Sequence, residues 1–300
     1  MLGGILAGLG AGALWGLVFI APQLAPGLSA VDLVAGRYLF YGLTSLLVMA
    51  VQMRSRPLPT WRQAGAAAGL SVLGFSGYYL LLVLAIRDAG PALPTLMVGT
   101  IPLWVMLLGK PEHLQWRQLL PGLLLTALGL VLMVEVPHAA DGQDGGAQAW
   151  TYWRGVAYAV AAMLSWTFFA VLNSAWLKTH RDISTTDWAN WMGVAAGVAA
   201  LVLWAAVGSE PKVLLAQADI AQAAMVCIAI GVGSGWLATV LWNRASRRLS
   251  ASLCGQLIVS ETLFGLAFAF AVLGQRFTLA QIVASVLFVL GILASIRAHR

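Results

Sequence analysis

One acid stands well inside an apolar run of this chain: Glu261, within Leu249–Gln275. Counted from Ser250 at a helical rise of 1.5 Å per residue, it lies ~16 Å deep, about the midplane of a ~30 Å hydrocarbon core. An ionised carboxylate there is costly unless paired. The residue therefore binds a substrate ammonium, carries a coupling proton, or stands as a neutral or salt-bridged structural group. Arg37 is the one basic residue left within an apolar run, ~9 Å below the start of its helix by the same rise. It either snorkels toward Asp32 at the outer interface or reaches Glu261, as a candidate ion pair or gate. Other polar and aromatic residues recur at helical spacing: Ser252, Gln256 and Ser260; Trp236, Thr239 and Asn243; Trp166 and Asn173; Ser71 and Tyr78, beside Tyr79. Polar groups in lipid must turn inward, so these faces line an interior, where each side chain serves ligand contact or helix–helix bonding. Pro102 cannot donate to the carbonyl of Val98, which marks a bend or a binding groove.

Catalysis finds little to work with. His113, His138, His180 and His299 all fall in loops or tails, and there is no His-Glu-x-x-His, paired intramembrane Asp or phosphate-binding loop. No catalytic residue, metal or cofactor is implied. Gly231, Gly233 and Gly235 permit close helix contact or local unwinding; they lack the strand and spacing of a dinucleotide fingerprint. Cys227 and Cys254 fall inside apolar stretches and read as small packing residues. Gly4, Gly8, Gly12 and Gly16 form one flat stripe, either a static packing seam or a sliding surface.

The elements that must position these residues follow from composition. The chain has 300 residues, 60% hydrophobic and only 9% charged, with mean hydropathy +0.86. A soluble domain carries roughly 25% charged residues, so a soluble enzyme, a nucleic-acid-binding domain and a secreted scaffold are all excluded. Reading from charge to charge gives ten apolar stretches: Met1–Val31, Asp32–Arg54, Gln63–Ile86, Ala89–Gly109, Gln118–Val134, Gly155–Leu177, Trp188–Ser209, Ile220–Asn243, Leu249–Gln275 and Phe277–Ile296. They are continuous and about twice the length of a barrel strand, so the fold class is all-α integral membrane. The N-terminus lacks the basic region of a signal peptide. With both termini in the cytoplasm, twelve basic residues fall inside (Arg54, Arg56, Arg62, Lys110, Arg117, Lys178, Arg181, Arg244, Arg247, Arg248, Arg297, Arg300) and four outside (Arg87, Arg154, Lys212, Arg276). That bias fits an even number of spans. The net charge of +6 is thus an insertion signal with no nucleic-acid partner behind it.

The polar segment around Asp141–Gly146 divides ten helices into five and five. Five is odd, so the halves enter the membrane from opposite sides, the inverted arrangement of transporters. Leu14-Trp15-Gly16 before Phe19 answers Ser165-Trp166-Thr167 before Phe169. Ala92 precedes Ile101-Pro102 much as Ala251 precedes Glu261-Thr262, and the tails Pro111-Glu112-His113-Leu114 and Gly274-Gln275-Arg276-Phe277 lead into the last helix of each half. These residues, with Arg37, resemble the EamA repeat of the drug/metabolite transporter superfamily over essentially the whole chain, and within it the YddG-type amino acid exporters of bacterial inner membranes. Thr262 and Gln275 depart from that pattern, standing where Pro and Glu are usual, so the second half is expected to kink differently. The resemblance implies a first repeat over 1–136, a polar linker over 137–150 and a second repeat over 151–300. It implies a multi-pass inner-membrane exporter of aromatic and other neutral amino acids, a monomer working by alternating access. Its central cavity would be lined by Trp15, Tyr78, Tyr79, Trp166, Gln256 and Glu261. A proton-coupled multidrug or organic-cation exporter with Glu261 as anionic trap is the alternative; an intramembrane enzyme or a structural subunit would move no solute.

Overall fold

The computed structural model describes residues 1–52, 58–89, 92–110, 114–133, 146–274, 276 and 278–299, and among these every regular element is a helix. Eight helices are long and apolar enough to cross a membrane: α1 (Leu2–Phe19), α2 (Ala30–Gln52), α3 (Trp61–Ala89), then α6 (Trp150–Thr179), α7 (Thr185–Val207), α8 (Ile220–Arg248), α9 (Ala251–Leu273) and α10 (Leu279–Ala298). Two shorter apolar helices lie between α3 and α6: α4, made of Ala92–Gly99 and Ile101–Leu108, and α5 (Trp116–Met133). Most of the polar linker, Pro111-Glu112-His113 and Gln275 lie outside the described residues.

Helix ends follow local chemistry. Thr60 with Gln63 and Thr278 with Gln281 form capping boxes that begin α3 and α10, while Ser184 and Ser250 cap α7 and α9. Each hydroxyl accepts from a first-turn N–H that has no partner within the helix. α1 narrows to a 3₁₀ turn at Leu17–Phe19, and Pro22 then opens a short helix, Ala21–Leu24, because proline is tolerated at a helix start and excluded from its interior. Gly274, at φ 65°, stops α9; glycine takes the left-handed conformation without the Cβ clash that other residues meet there.

The interior breaks come in pairs. α3 and α8 each contain a π-helical segment, Val72–Ser76 and Gly231–Leu237; the related runs Ser76-Gly77-Tyr78 and Ser234-Gly235-Trp236 fall at the end of the first and within the second. α4 and α9 are each interrupted after an eight-residue first segment, at Thr100 and Val259. The break in α4 has an evident cause in Pro102, in the first turn of the second segment. α9 breaks at the corresponding place without a proline.

Packing divides the chain into two compact units, the first comprising Met1–Val72, Asn173–Leu249 and Ser260–Arg276, the second Leu73–Leu172, Ser250–Val259 and Phe277–Arg300. In the first, α2 packs most extensively on α7, and α1 packs on α8 and on the second segment of α9. Small residues allow these approaches: a Cβ on Gly42 would lie 2.8 Å from the Cα of Gly197, and one on Gly16 would lie 2.8 Å from the backbone nitrogen of Gly265. In the second unit, α10 packs on α5, and the first segment of α9 on the second segment of α4, where the N–H of Ser252 donates to Gly109 across 3.1 Å. At the end of α3, Asp88 accepts from Arg87 Nε at 2.9 Å and from Arg154 Nε of α6 at 2.7 Å.

Candidate functional site

Glu261 lies in the first turn of the second segment of α9. Among the described residues its carboxylate forms neither a hydrogen bond nor an ion pair. The residue is half-buried, and neither carboxylate oxygen is one of the sealed, partnerless polar atoms. The charge that acts on it is the guanidinium of Arg37, which also acts, as Glu261 does, on the buried phenol of Tyr38. Arg37 sends Nη2 to the backbone carbonyl of Ser234, 3.3 Å away in the π-helical segment of α8, and its Nε is buried without an acceptor. A π-helical turn displaces the regular backbone ladder, and here the carbonyl of Ser234 meets a side chain from α2. Ser234 in turn gives its hydroxyl to the carbonyl of Leu14 in α1 at 2.5 Å, and the glycine stripe of α1 brings Gly12 against Ser260 and Glu261.

Arg37 therefore does not snorkel toward Asp32. The Asp32 carboxylate is already filled: Oδ1 accepts from Trp204 Nε1 (3.1 Å) and the Ser209 N–H (2.9 Å), and Oδ2 from the hydroxyls of Ser29 (2.5 Å) and Ser209 (2.6 Å). Four neutral donors hold a buried carboxylate without a cation. Asp32 also lies at the edge of a mostly apolar cavity of about 260 Å³ walled by Leu28, Ala35, Leu39, Phe40, Trp204 and Cys227. None of the residues singled out for ligand contact lines it.

Trp15 is buried on α1, with its ring 5.3 Å from that of Trp242 and tilted by 50°. The polar faces expected on α6 and α8 are knit together with α7. Trp188 Nε1 donates to Asn173 (2.8 Å), Asn173 Nδ2 to Asn243 (3.0 Å), and Trp236 Nε1 to Asn190 (2.7 Å). Asn190 is fully buried and its Nδ2 has no acceptor. Its place in this network was not legible from spacing, because its face of α7 carries few other polar residues.

In the second unit Tyr78 and Tyr79 are half-buried just after the π-helical segment of α3. Trp166 is half-buried edge-on to Phe169 at 5.8 Å, and Phe169 also meets Phe75 at 5.4 Å. Ser165, beside Trp166, donates to the carbonyl of Leu73 at 2.8 Å. Gln256 is fully buried; Nε2 donates to Thr126 of α5 at 2.8 Å, and Oε1 accepts from Ser295 of α10 at 3.5 Å. Its amide thus ties three helices at both ends. Pro102 is buried. Cys227 and Cys254 are buried and not joined in a disulfide, and His180 stacks on Trp176 with ring centroids 3.8 Å apart.

Membrane-length helices broken at paired positions, with a carboxylate on α9 and a guanidinium on α2 that form no ion pair with each other among the described residues, fit a transporter better than an enzyme. The model of the EamA-like transporter family matches residues 2–135 and again 153–297, and the chain belongs to that family. It is 27% identical over 325 residues to the inner membrane protein YtfF of Escherichia coli (strain K12), covering 99% of this chain and 96% of that protein. A 46-residue stretch is 39% identical to an uncharacterized transporter of Haemophilus influenzae (strain ATCC 51907 / DSM 11121 / KW20 / Rd), covering 15% of this chain and 27% of that protein. A protein crystal structure matches with a TM-score of 0.77 at 17% identity, covering 99% of this chain and 97% of the other; at that identity the likeness is one of fold.

Proposed function

We propose that this chain is an inner-membrane exporter of small amphipathic metabolites, aromatic and other neutral amino acids first among them, working by alternating access through a central cavity. The observation that carries the proposal is Glu261, a half-buried carboxylate inside a membrane-length helix that forms no ion pair among the described residues. A charged group so placed marks a substrate or ion path by default. In this reading all ten apolar helices cross the bilayer, the two halves are inverted, and both termini are cytoplasmic, as the distribution of basic residues favours. The inner-membrane location is supported by the likeness to YtfF. Trp15, Tyr78, Tyr79 and Trp166 are the proposed aromatic contacts, and Gln256 contributes by holding α9 to α5 and α10. The same unpaired carboxylate supports a second reading, a proton-coupled exporter of organic cations.

The deciding measurement uses purified protein in liposomes and labelled Trp, Phe, Met and Thr, with and without a pH gradient. Flux of at least one, lost in Glu261→Gln, is expected. No flux of any of the four would overturn the amino-acid reading, and gradient-driven organic-cation flux abolished by Glu261→Gln would establish the other.

A further inference from the structure

We infer that Arg37 and Glu261 form a two-pole subsite that grips a zwitterion, the guanidinium taking a carboxylate and Glu261 taking an ammonium. The inference rests on the amino-acid reading and adds to it which groups the site reads.

Two opposite charges inside membrane-length helices would ordinarily close on each other, because in a low-dielectric setting the pair is far more favourable than its separated members. Here they do not. Arg37 is held by the backbone carbonyl of Ser234, and Glu261 makes no bond at all among the described residues. Their places are fixed by one frame: α2 meets α8 through Arg37 and Ser234, α8 meets α1 through Ser234 and Leu14, and α1 meets α9 through Gly12 against Ser260 and Glu261. Each element is fixed by a backbone contact, so the side-chain charges are held near each other without being consumed. Among the described residues the guanidinium has one nitrogen on Ser234 and a buried Nε without an acceptor, and the half-buried carboxylate has no hydrogen-bond donor. Each pole thus retains bonding capacity, and an α-amino acid carries the two matching groups on a single carbon.

The pairing also separates ligand classes. A site built to trap a cation would keep other cations away from its carboxylate, yet Arg37 is the charge that acts on Glu261. A lone ammonium entering there meets a like charge that it cannot satisfy; a zwitterion satisfies both. Removing either end of the ligand leaves a desolvated protein charge unpaired, which is how polar sites reject analogues strongly.

The test is binding to the purified full chain in nanodiscs, with labelled Phe competed by phenethylamine, which lacks the carboxylate, and by 3-phenylpropionate, which lacks the ammonium. In the unaltered protein each half-ligand should compete at least ~10-fold more weakly than Phe. Arg37→Gln should weaken Phe at least ~10-fold and bring phenethylamine to parity with it; Glu261→Gln should do the same for 3-phenylpropionate. Arg37→Lys and Glu261→Asp keep the charges and should retain the preference for Phe, which guards against variants that fail to fold. Phenethylamine matching Phe in the unaltered protein, or Phe binding unmoved in both charge-removing variants, overturns the two-pole subsite while leaving amino-acid transport standing. Absence of any amino-acid binding overturns both.

Discussion

Asp32 and Glu261 are both carboxylates inside membrane-length helices, and the chain treats them in opposite ways. Asp32 is enclosed by four donors from Ser29, Trp204 and Ser209, so its charge is fully answered within the fold and its role is to pin the start of α2 to the end of α7. Glu261 is answered, among the described residues, by nothing that bonds to it. Sequence alone marks the second residue, because an acid in mid-run is conspicuous, and passes over the first, which looks like an ordinary residue at a helix start. The donors to Asp32 from Trp204 and Ser209 come from more than 170 positions away, beyond any local pattern. Two outcomes follow. Asp32→Ala leaves an indole N–H and a backbone N–H without their acceptor and should destabilise by about 2–4 kcal/mol, visible as a lowered unfolding midpoint of the purified protein. Asp32→Asn, which keeps an acceptor, should lose roughly half as much. Equal and negligible shifts for both would mean that the carboxylate does not hold these elements together.

Elements repeat this division between what is legible and what is not. Apolar run length places most of the helices to within about five residues, since the polarity of the flanking groups decides where a segment can enter lipid; the first run, Met1–Val31, overshoots, because its membrane-length helix ends at Phe19 and Pro22 starts a separate short one. The π-helical segments of α3 and α8 leave no mark of their own in hydropathy: one wide turn shifts the register of a helix without changing its composition. The break in α4 was announced by Pro102, whereas that in α9 falls at Val259 with no breaker beside it. The glycine stripe of α1 was visible as a pattern with two meanings, and the partner of its Gly12 and Gly16 end, the second segment of α9, emerges only from tertiary packing. A Cβ at Gly16 would meet the Gly265 nitrogen at 2.8 Å and Phe264 Cβ at 2.9 Å. A backbone cannot swing aside as a side-chain tip can, so Gly16→Leu should force α1 from α9 and destabilise by about 1–3 kcal/mol or more. Gly69 is the control: a Cβ there meets nothing within 4 Å, so Gly69→Ala should raise helix stability by roughly 0.5–1 kcal/mol. Thermal unfolding of the two variants side by side checks the contrast, and a Gly16 variant as stable as the Gly69 variant would remove the seam from the fold's support.

At the scale of the whole molecule, the two family matches run one after the other, 2–135 and 153–297, whereas the two compact units each draw on both. Tandem repeats are legible in sequence because they are collinear with it; interleaving is a property of packing. The consequence is physical. In lipid a helix gains little by hiding apolar surface, and its partner is chosen by close backbone approach and by polar groups that must be satisfied. A fragment ending in the linker would leave α2 without α7, against which Gly42 closes on Gly197. Arg37 would lose Ser234, and Thr126 of α5 would lose Gln256. The complementary fragment would hold the other member of each pair. Neither half, made alone as 1–140 or 141–300, should accumulate as folded protein, since each contains parts of both units and the whole of neither. Made together in one cell they should co-purify and recover at least half of the uptake of the intact chain, because each member of the pairing contacts named above is kept whole on one fragment or the other. Pulse-chase stability of each fragment, followed by co-purification and uptake, provides the measure. A half that persists and folds by itself would mean that the repeat, and not the interleaved unit, is the cooperative body of this protein.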